Sequence, residues 1–290
     1  MTRFTAAALQ MRSGTEPEKN AATLSELVHE AAAKGAQYIQ TPEMTGAVQK
    51  DRKALMAVLK GEDEDVIVRT ASGLARECGV YLHIGSTAIA VGDGMVANRA
   101  LLFAPDGTVT ARYDKIHMFD VDLDNGESWR ESAVYRPGEN ANLAGLPFAN
   151  IGMGICYDVR FADLFRAYAL AGADVLTAPA AFTRQTGEAH WHVLQRARAI
   201  ENGAFMISAA QAGQHDDGRE TFGHSIIIDP WGRILAEAGD AGEAVITAEI
   251  DTDDVAQARG KVPNLKNIRA FTLLESGNSQ GAGEKATAKD

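Results

Sequence analysis

The 290-residue sequence contains only two cysteines and no run of about 18 consecutive apolar residues. Cys78 and Cys156 are too few for a disulfide framework, and without a Cys-x-x-Cys pair the usual pattern of structural zinc is excluded. The first residues lack the apolar core of a signal peptide, and no segment is long enough to span a membrane. These absences predict a cytoplasmic protein with reduced thiols and without a metal, a cofactor or a membrane partner.

Positive charge is also scarce, since the chain has 28 basic and 39 acidic residues and a net charge of −11. Such a surface repels phosphate backbones, so a nucleic-acid partner is not expected. Hydrophobic residues make up 46% of the chain, which is enough for a large core. We predict one domain over residues 1–275 and a loose, Gly/Ala/Ser/Lys-rich tail over residues 276–290.

Apolar runs and helical periodicities follow each other in the same order twice along the chain. The first half has strands at residues 4–11, 38–41, 80–85, 98–104 and 108–113, and helices at 20–34 and 67–78. The second half has strands beginning at residue 150 and at 175–178, 205–209, 225–228 and 234–236, and helices at 161–172 and 190–202. An edge strand at 243–250, a short helix at 252–259 and a long loop at 120–138 complete the prediction. Each half alone exposes one sheet face, so pairing the halves predicts an α/β fold of four layers, an α-β-β-α sandwich.

Cys156 lies where the first strand of the second half gives way to a helix. A side chain at such a turn projects from the sheet edge, and the following backbone N–H groups point at what it attacks. This is a suitable position for a nucleophile, although an unpaired cysteine is also a common small core residue. Cys78, by contrast, is one of several apolar residues on a helical face, which indicates a structural role.

Two further polar residues follow strands that the predicted fold brings to the same end. Glu43 comes after the second strand and Lys115 after the hairpin of the first half. Taken singly, Glu43 fits a turn carboxylate and Lys115 fits a surface cation. Together with Cys156 they form a candidate catalytic group.

The sequence around these three residues resembles the three signature blocks of the nitrilase (carbon–nitrogen hydrolase) superfamily, specifically its Nit-type amidase branch. Residues 41–44 read Thr-Pro-Glu-Met, residues 112–120 read Arg-Tyr-Asp-Lys-Ile-His-Met-Phe-Asp, and residues 154–161 read Gly-Ile-Cys-Tyr-Asp-Val-Arg-Phe. Further matches lie at residues 131–138, 186–191, 196–202, 210–213 and 222–232. The resemblance extends from about residue 4 to residue 271.

The resemblance implies a catalytic triad of Glu43, Lys115 and Cys156 that hydrolyses a small-molecule carboxamide to the acid and ammonia through a Cys thioester. It also implies a second glutamate near the lysine, for which Glu131 is the candidate and Glu127 the neighbouring alternative. Substrate contacts or their supports are expected at Tyr157, Arg160, Phe182, His190 and Trp191, on a loop around residues 182–191 and beside the nucleophile. Arg160 or Arg184 is a candidate partner for an acidic group of the substrate.

The branch further suggests a homodimer or higher homo-oligomer, and deaminated glutathione as the substrate. An omega-amidase that acts on α-keto acid amides such as α-ketoglutaramate is the alternative, followed by a nitrilase. A binding module with an unused triad is the non-enzymatic reading.

Other chemistries receive less support from the residues. A Cys-His hydrolase needs His117, His190 or His224 as its base, and nothing in their spacing favours it. A metal site on His190-x-His192 is disfavoured because the two positions point to different faces of a helix. Gly152-x-Gly154 resembles a dinucleotide loop, but Cys156 and Tyr157 occupy the place of its third glycine.

Overall fold

The computed structural model describes residues 3–123, 126, 128–240 and 242–274. Two six-stranded sheets pack face to face and helices cover their outer faces, so the predicted four-layer α-β-β-α sandwich is confirmed. The predicted tail and Glu127 lie outside the described residues.

The first sheet has the strand order β16-β1-β2-β3-β4-β5. Strands β1, β2 and β3 run parallel, whereas β16 pairs antiparallel with β1, β4 with β3 and β5 with β4. The bounds are β1 Arg3–Gln10, β2 Tyr38–Gln40, β3 Tyr81–Ala90, β4 Val96–Phe103, β5 Val109–Asp114 and β16 Ala244–Asp251.

The second sheet repeats this pattern in the order β15-β14-β11-β10-β9-β8. Strands β9, β10 and β11 are parallel, β14 and β15 form the hairpin, and β8 is an antiparallel edge strand. The bounds are β8 Asn142–Gly145, β9 Asn150–Met153, β10 Val175–Thr177, β11 Phe205–Ser208, β14 Ile226–Ile228 and β15 Ile234–Glu237. The repeated order of elements in the two halves therefore follows the prediction.

Strand β1 illustrates how both faces of a sheet are buried. Phe4, Ala6 and Ala8 belong to the core that also contains residues of the second sheet, whereas Ala7 and Leu9 pack against the outer helices. This alternation follows from the two-residue period of a strand. The helices are α1 Pro17–Ala33, α2 Arg52–Val58, α3 Val66–Cys78, α4 Ala162–Leu170, α5 Arg184–Asn202 and α6 Asp253–Lys261.

Two expectations for local structure are wrong, and some elements were not expected. The predicted loop at residues 120–138 contains a short hairpin, β6 (Asp120–Asp122) and β7 (Ser128–Arg130), followed by a 3-10 turn. Helix α5 begins at Arg184, so most of residues 182–191 is helical rather than a loop. Helix α2, strand β8 and the hairpin of β12 (Ala212–Gln214) and β13 (Glu220–Phe222) were not predicted.

Candidate active site

Glu43 follows β2 at the end of the sheet and is 5% exposed. Its Oε1 accepts hydrogen bonds from Lys115 Nζ at 2.9 Å and Asn98 Nδ2 at 2.9 Å, and its Oε2 accepts one from the Ala181 backbone N–H at 2.9 Å. Burial favours the neutral carboxyl, but the Lys115 ammonium outweighs it and holds the pKa of Glu43 below its usual range. The buried Glu43 side chain is therefore an ionised carboxylate.

Lys115 comes directly after β5, where its backbone N–H donates to the carbonyl of Asn98 on β4. Its Nζ donates to Glu43 and to both carboxylate oxygens of Glu131, at 3.0 and 2.9 Å. Burial disfavours the ammonium, but Glu131 and Glu43 outweigh it and raise the pKa of Lys115 well above its ordinary value. A permanently charged ammonium thus lies between two carboxylates.

Glu131 stands on the 3-10 turn Glu131–Ala133 that follows β7. Its Oε2 also accepts the backbone N–H of Phe119 at 2.7 Å, so its orientation is fixed by two elements. The contact with Lys115 supports Glu131 as the second glutamate.

Asn98 belongs to this group although the sequence analysis did not select it. Its Nδ2 lies 2.9 Å from Glu43 Oε1 and 3.1 Å from Glu131 Oε1, and the residue is fully buried. A polar residue on the buried face of the apolar strand Val96–Phe103 is a signal that could have identified it. Asn98 and Lys115 thus donate to the same two oxygens, Oε1 of Glu43 and Oε1 of Glu131.

Cys156 occupies the predicted joint, but a 3-10 turn, Cys156–Arg160, separates β9 from α4. Its φ of 49° is a left-handed conformation, which is rare for a residue with a side chain and is often retained at functional sites. The backbone N–H of Cys156 donates to Pro179 O at 2.9 Å, which fixes the turn to the neighbouring strand connection. Burial, reinforced by the adjacent Glu43 carboxylate, raises the pKa of the Cys156 thiol well above its usual value, so the thiol is protonated at rest.

A cavity of about 680 Å³ is lined by the three candidate catalytic residues, Glu43, Lys115 and Cys156. Glu131 also lines it. Tyr157, Arg160 and Phe182 form part of its wall. The Arg160 guanidinium lies 5.7 Å from the ring centre of Tyr157 and 5.5 Å from that of Phe182, so aromatic faces hold it in place. Further lining residues include Lys50, Arg52, Trp129, Arg130, Arg219 and Glu220.

His190 and Trp191 stand behind the wall rather than on it. His190 Nδ1 lies 3.3 Å from both terminal guanidinium nitrogens of Arg160, and the Trp191 ring packs edge-on against Phe182 at 5.0 Å. Arg184 makes ion pairs with Glu188 and Glu220, each at 3.0 Å, whereas the described residues place no carboxylate within 4 Å of Arg160. Of the two arginines, Arg160 is therefore the one available to an anion.

The histidines required by the Cys-His alternative have other partners. His117 Nδ1 bonds to the buried Asp158 at 2.7 Å, His190 to Arg160, and His224 Nδ1 to Glu237 at 2.8 Å. Among the described residues, no histidine lines the cavity. The glycines of the rejected dinucleotide loop serve close packing, since a Cβ on Gly152 would lie 2.7 Å from the Tyr168 ring.

The described part of the chain has no helix whose length and apolar character would allow it to cross a lipid bilayer.

A profile described as carbon-nitrogen hydrolase matches residues 5–260. The chain belongs to the carbon–nitrogen hydrolase family. This hydrolase is 36% identical over 277 residues to the deaminated glutathione amidase of Yersinia enterocolitica, covering 94% of this chain and 96% of that protein. It is 34% identical over 272 residues to the omega-amidase NIT2 of Homo sapiens, covering 93% of this chain and 96% of that protein.

The hydrolase also resembles solved structures of the nitrilase superfamily. The C. elegans NitFhit protein superposes with a TM-score of 0.85 at 30% identity, covering 97% of this chain and 69% of that one. A mutant amidase from Nesterenkonia sp. AN1 superposes with a TM-score of 0.76 at 25% identity, covering 88% of this chain and 93% of that one. In that amidase the acetamide moiety of fluoroacetamide is covalently added to the active-site cysteine. The fold and family expected from the signature blocks are thereby confirmed.

Proposed function

We propose that this carbon–nitrogen hydrolase is an amidase in which Cys156 is the nucleophile, Glu43 the general base and acid, and Lys115 the stabiliser of the oxyanion. The observation that carries the proposal is a buried carboxylate, Glu43, bonded to the Lys115 ammonium at the floor of a cavity that the buried Cys156 also lines. The addition to the active-site cysteine of the Nesterenkonia amidase supports the role of Cys156.

The first half of the reaction forms a thioester. Glu43 takes the thiol proton as the sulfur of Cys156 adds to the amide carbon, because the raised pKa of the thiol requires a base in contact with it. The carbonyl oxygen becomes an anion that the Lys115 ammonium and the backbone N–H of Tyr157 stabilise. The Tyr157 N–H lies in the first turn of a 3-10 helix, where N–H groups lack intrahelical acceptors. The C–N bond then breaks, and the leaving amine takes the proton back from Glu43.

The second half returns the enzyme to its resting state. Glu43, again a carboxylate, removes a proton from water as the water oxygen adds to the thioester carbonyl. The C–S bond breaks, the acid departs and the proton returns to the sulfur. Glu131 does not contact the thiol in this scheme. It keeps Lys115 charged and oriented through two hydrogen bonds.

The substrate we propose is deaminated glutathione, as for the Yersinia relative. The molecule has two carboxylates, and the cavity wall offers Arg160 for one and Lys50 for the other. A volume of about 680 Å³ suits a molecule of tripeptide size. An omega-amidase that acts on α-ketoglutaramate is the second candidate, because the human relative at 34% identity carries that name.

The two candidates differ in the leaving group. Deaminated glutathione is a secondary amide that loses cysteinylglycine rather than the ammonia expected from the resemblance, whereas α-ketoglutaramate is a primary amide that loses ammonia. Both release α-ketoglutarate, so one coupled assay for this acid compares them directly. We expect a kcat/KM at least tenfold higher for deaminated glutathione, which corresponds to about 1.4 kcal/mol in the barrier. The reverse preference would identify an omega-amidase.

A wider substrate panel separates an enzyme from a binding module. Simple aliphatic amides and nitriles, followed by the release of ammonia, complete the panel, and the Cys156→Ser variant is the control for background hydrolysis. If the folded protein releases no product from any substrate, the amidase proposal fails and the result supports a binding module. A preference for nitriles would instead assign a nitrilase.

We further propose that residues 1–275 act as one domain and that the chain forms a homodimer. The family match over residues 5–260 and a site built from both sheets support the single domain. An exposed apolar face on α5 and the β14–β15 hairpin, formed by Val193, Ile200, Trp231, Ile234 and Leu235, supports self-association. Light scattering should give twice the chain mass, and Val193→Glu should reduce it to one chain. Since the nucleophile is a free thiol, we place the activity in a reducing compartment, the cytoplasm.

A further inference from the structure

Three side chains that are distant in sequence meet away from the cavity: His192 on α5, His224 before β14 and Glu237 at the end of β15. One carboxylate oxygen, Glu237 Oε1, lies 2.7 Å from His192 Nε2 and 2.8 Å from His224 Nδ1. The three candidate ligand atoms lie within 4.8 Å of one another. None of the three side chains is among those that line the cavity.

The donor set matches a known preference of divalent transition metals. Two imidazole nitrogens and one carboxylate oxygen are ligands that Zn²⁺ takes in tetrahedral sites with water as the fourth ligand. The single negative charge of Glu237 offsets part of the charge of the ion. The side chains are 34%, 24% and 29% exposed for His192, His224 and Glu237, so an ion can enter and retain a water molecule.

The surroundings hold both imidazole rings in place. Phe222 stacks on His224 at 4.4 Å and meets the edge of His192 at 5.9 Å. The backbone of His224 has a φ of 59°, and its carbonyl accepts the indole N–H of Trp191 at 2.8 Å. A left-handed residue fixed on its carbonyl side directs its imidazole toward Glu237. Fixed ligand orientation lowers the cost of binding an ion.

We propose that His192, His224 and Glu237 bind one divalent transition-metal ion, with Zn²⁺ as the expected species. The ion would displace the direct hydrogen bonds and connect α5 to the β14–β15 hairpin. The expectation of a chain without metal rested on the absence of a Cys-x-x-Cys pair and on the separation of His190 from His192. That pair is indeed divided, since His190 faces Arg160, but His224 and Glu237 supply the ligands that the spacing along one helix could not reveal.

The test measures Zn²⁺ binding to the full chain without an affinity tag. A Cys78→Ser, Cys156→Ala background removes both thiols, so that ion bound at the active-site cysteine does not contribute. Competition with a chromogenic chelator should give one Zn²⁺ per chain, and Co²⁺ should give visible absorption bands without the thiolate charge-transfer band. His192→Ala, His224→Ala and Glu237→Gln should each weaken binding at least about tenfold.

The matched control is His29→Ala, because His29 also contacts a glutamate, Glu77 at 3.0 Å, but lacks a second histidine. This variant should bind Zn²⁺ as the parent does. Thermal unfolding in chelator shows whether each variant is folded, and added Zn²⁺ should raise the midpoint of the parent but not of the three site variants. Less than one Zn²⁺ per chain, or equal affinity in a folded His192→Ala, His224→Ala double variant, would overturn the proposal.

Discussion

The floor and the rim of the cavity hold their charges in different ways. The floor, defined by Glu43, Lys115, Glu131 and Cys156, is largely removed from water, and its ammonium is bonded to both carboxylates. The rim, defined by Lys50, Arg52, Arg130, Arg160 and Arg219, lies at the surface and carries an excess of cations over nearby anions. The comparison indicates that the floor performs chemistry and the rim selects anionic substrates.

The free-energy cost of a substitution also differs between the floor and the rim. Removing one partner of a buried ion pair leaves an uncompensated charge, which costs about 3–5 kcal/mol, whereas exposed pairs contribute about 0–1 kcal/mol. The Arg130–Asp122 pair on the rim has both side chains more than half exposed, at 53% and 72%. Substitutions on the floor should therefore affect kcat, and those on the rim should affect KM for charged substrates.

The largest expected effect follows from Cys156→Ser, which retains the shape of the floor but replaces the thiol. We expect turnover to fall at least about ten-thousandfold, as for other catalytic nucleophiles. Intact-mass spectrometry during turnover should detect an acyl adduct on the parent and none at this position on the variant. Cys78→Ser is the matched control and should keep parental activity. Retention of turnover by a folded Cys156→Ser protein would contradict the assignment.

Glu43→Gln removes the base while keeping its size and most of its hydrogen-bond geometry. We expect a fall in kcat of about a thousandfold, because the thiol then has no acceptor for its proton. In the parent, the lowered pKa of Glu43 keeps the base ionised, so kcat/KM should fall only as the pH drops below the usual glutamate range. The raised pKa values of Lys115 and Cys156 imply a flat profile up to about pH 9.

Glu62→Gln is the control for this variant, since Glu62 is likewise paired with cations, Arg99 and Arg112, but lies outside the cavity. A bell-shaped profile centred near neutral pH would favour a histidine base and weaken the role of Glu43.

Asn98→Ala tests whether the floor depends on more than the three predicted residues. Burial raises the pKa of Glu43, Lys115 lowers it most, and the hydrogen bond from Asn98 adds to the lowering. Without the amide the pKa of Glu43 rises, so the acid limb of kcat/KM should move to higher pH. We also expect kcat to fall about thirtyfold, as for the loss of a hydrogen bond to a buried charge.

The matched control for Asn98→Ala is Asn142→Ala, which removes an exposed amide that donates to the carbonyl of Arg112. A reduced kcat with an unmoved acid limb would indicate that Asn98 acts only through stability.

The parts of the site that depend only on the order of strands and helices along the chain could be predicted from the sequence. Cys156 follows a strand and two glycines, and Glu43 and Lys115 follow strands that end at one edge of a sheet, so their meeting could be predicted. The sequence could mark Asn98 as a polar residue on an apolar strand but could not place it beside Glu43, because that contact depends on the register between neighbouring strands. The strands β6 and β7 contain three residues each, which is too short for a two-residue period to be recognised.

The start of α5 was missed for a different reason. Thr183 caps the helix by accepting the Thr186 N–H, but Thr186 and Gly187 have low helix propensity and masked the signal. Gly187 is required by packing, since a Cβ there would lie 2.2 Å from the Phe222 ring. The packing of Gly187 against Phe222 thus outweighs the low helix propensity of glycine. It does so in the first turns of α5, just after Phe182 on the cavity wall.

The smallest effect is expected on the rim, from Arg160→Gln. Aromatic faces and His190 hold the guanidinium, and it has no carboxylate partner among the described residues, so a substrate carboxylate can replace water there. Loss of one charge-assisted contact should raise KM about tenfold for carboxylate-bearing amides and leave kcat nearly unchanged. A neutral aliphatic amide should show no change in KM, and Arg184→Gln should behave as the parent because Glu188 and Glu220 already engage Arg184. An equal rise in KM for charged and neutral amides would mean that Arg160 supports the wall without binding the substrate carboxylate. The proposed functional division between floor and rim would then fail.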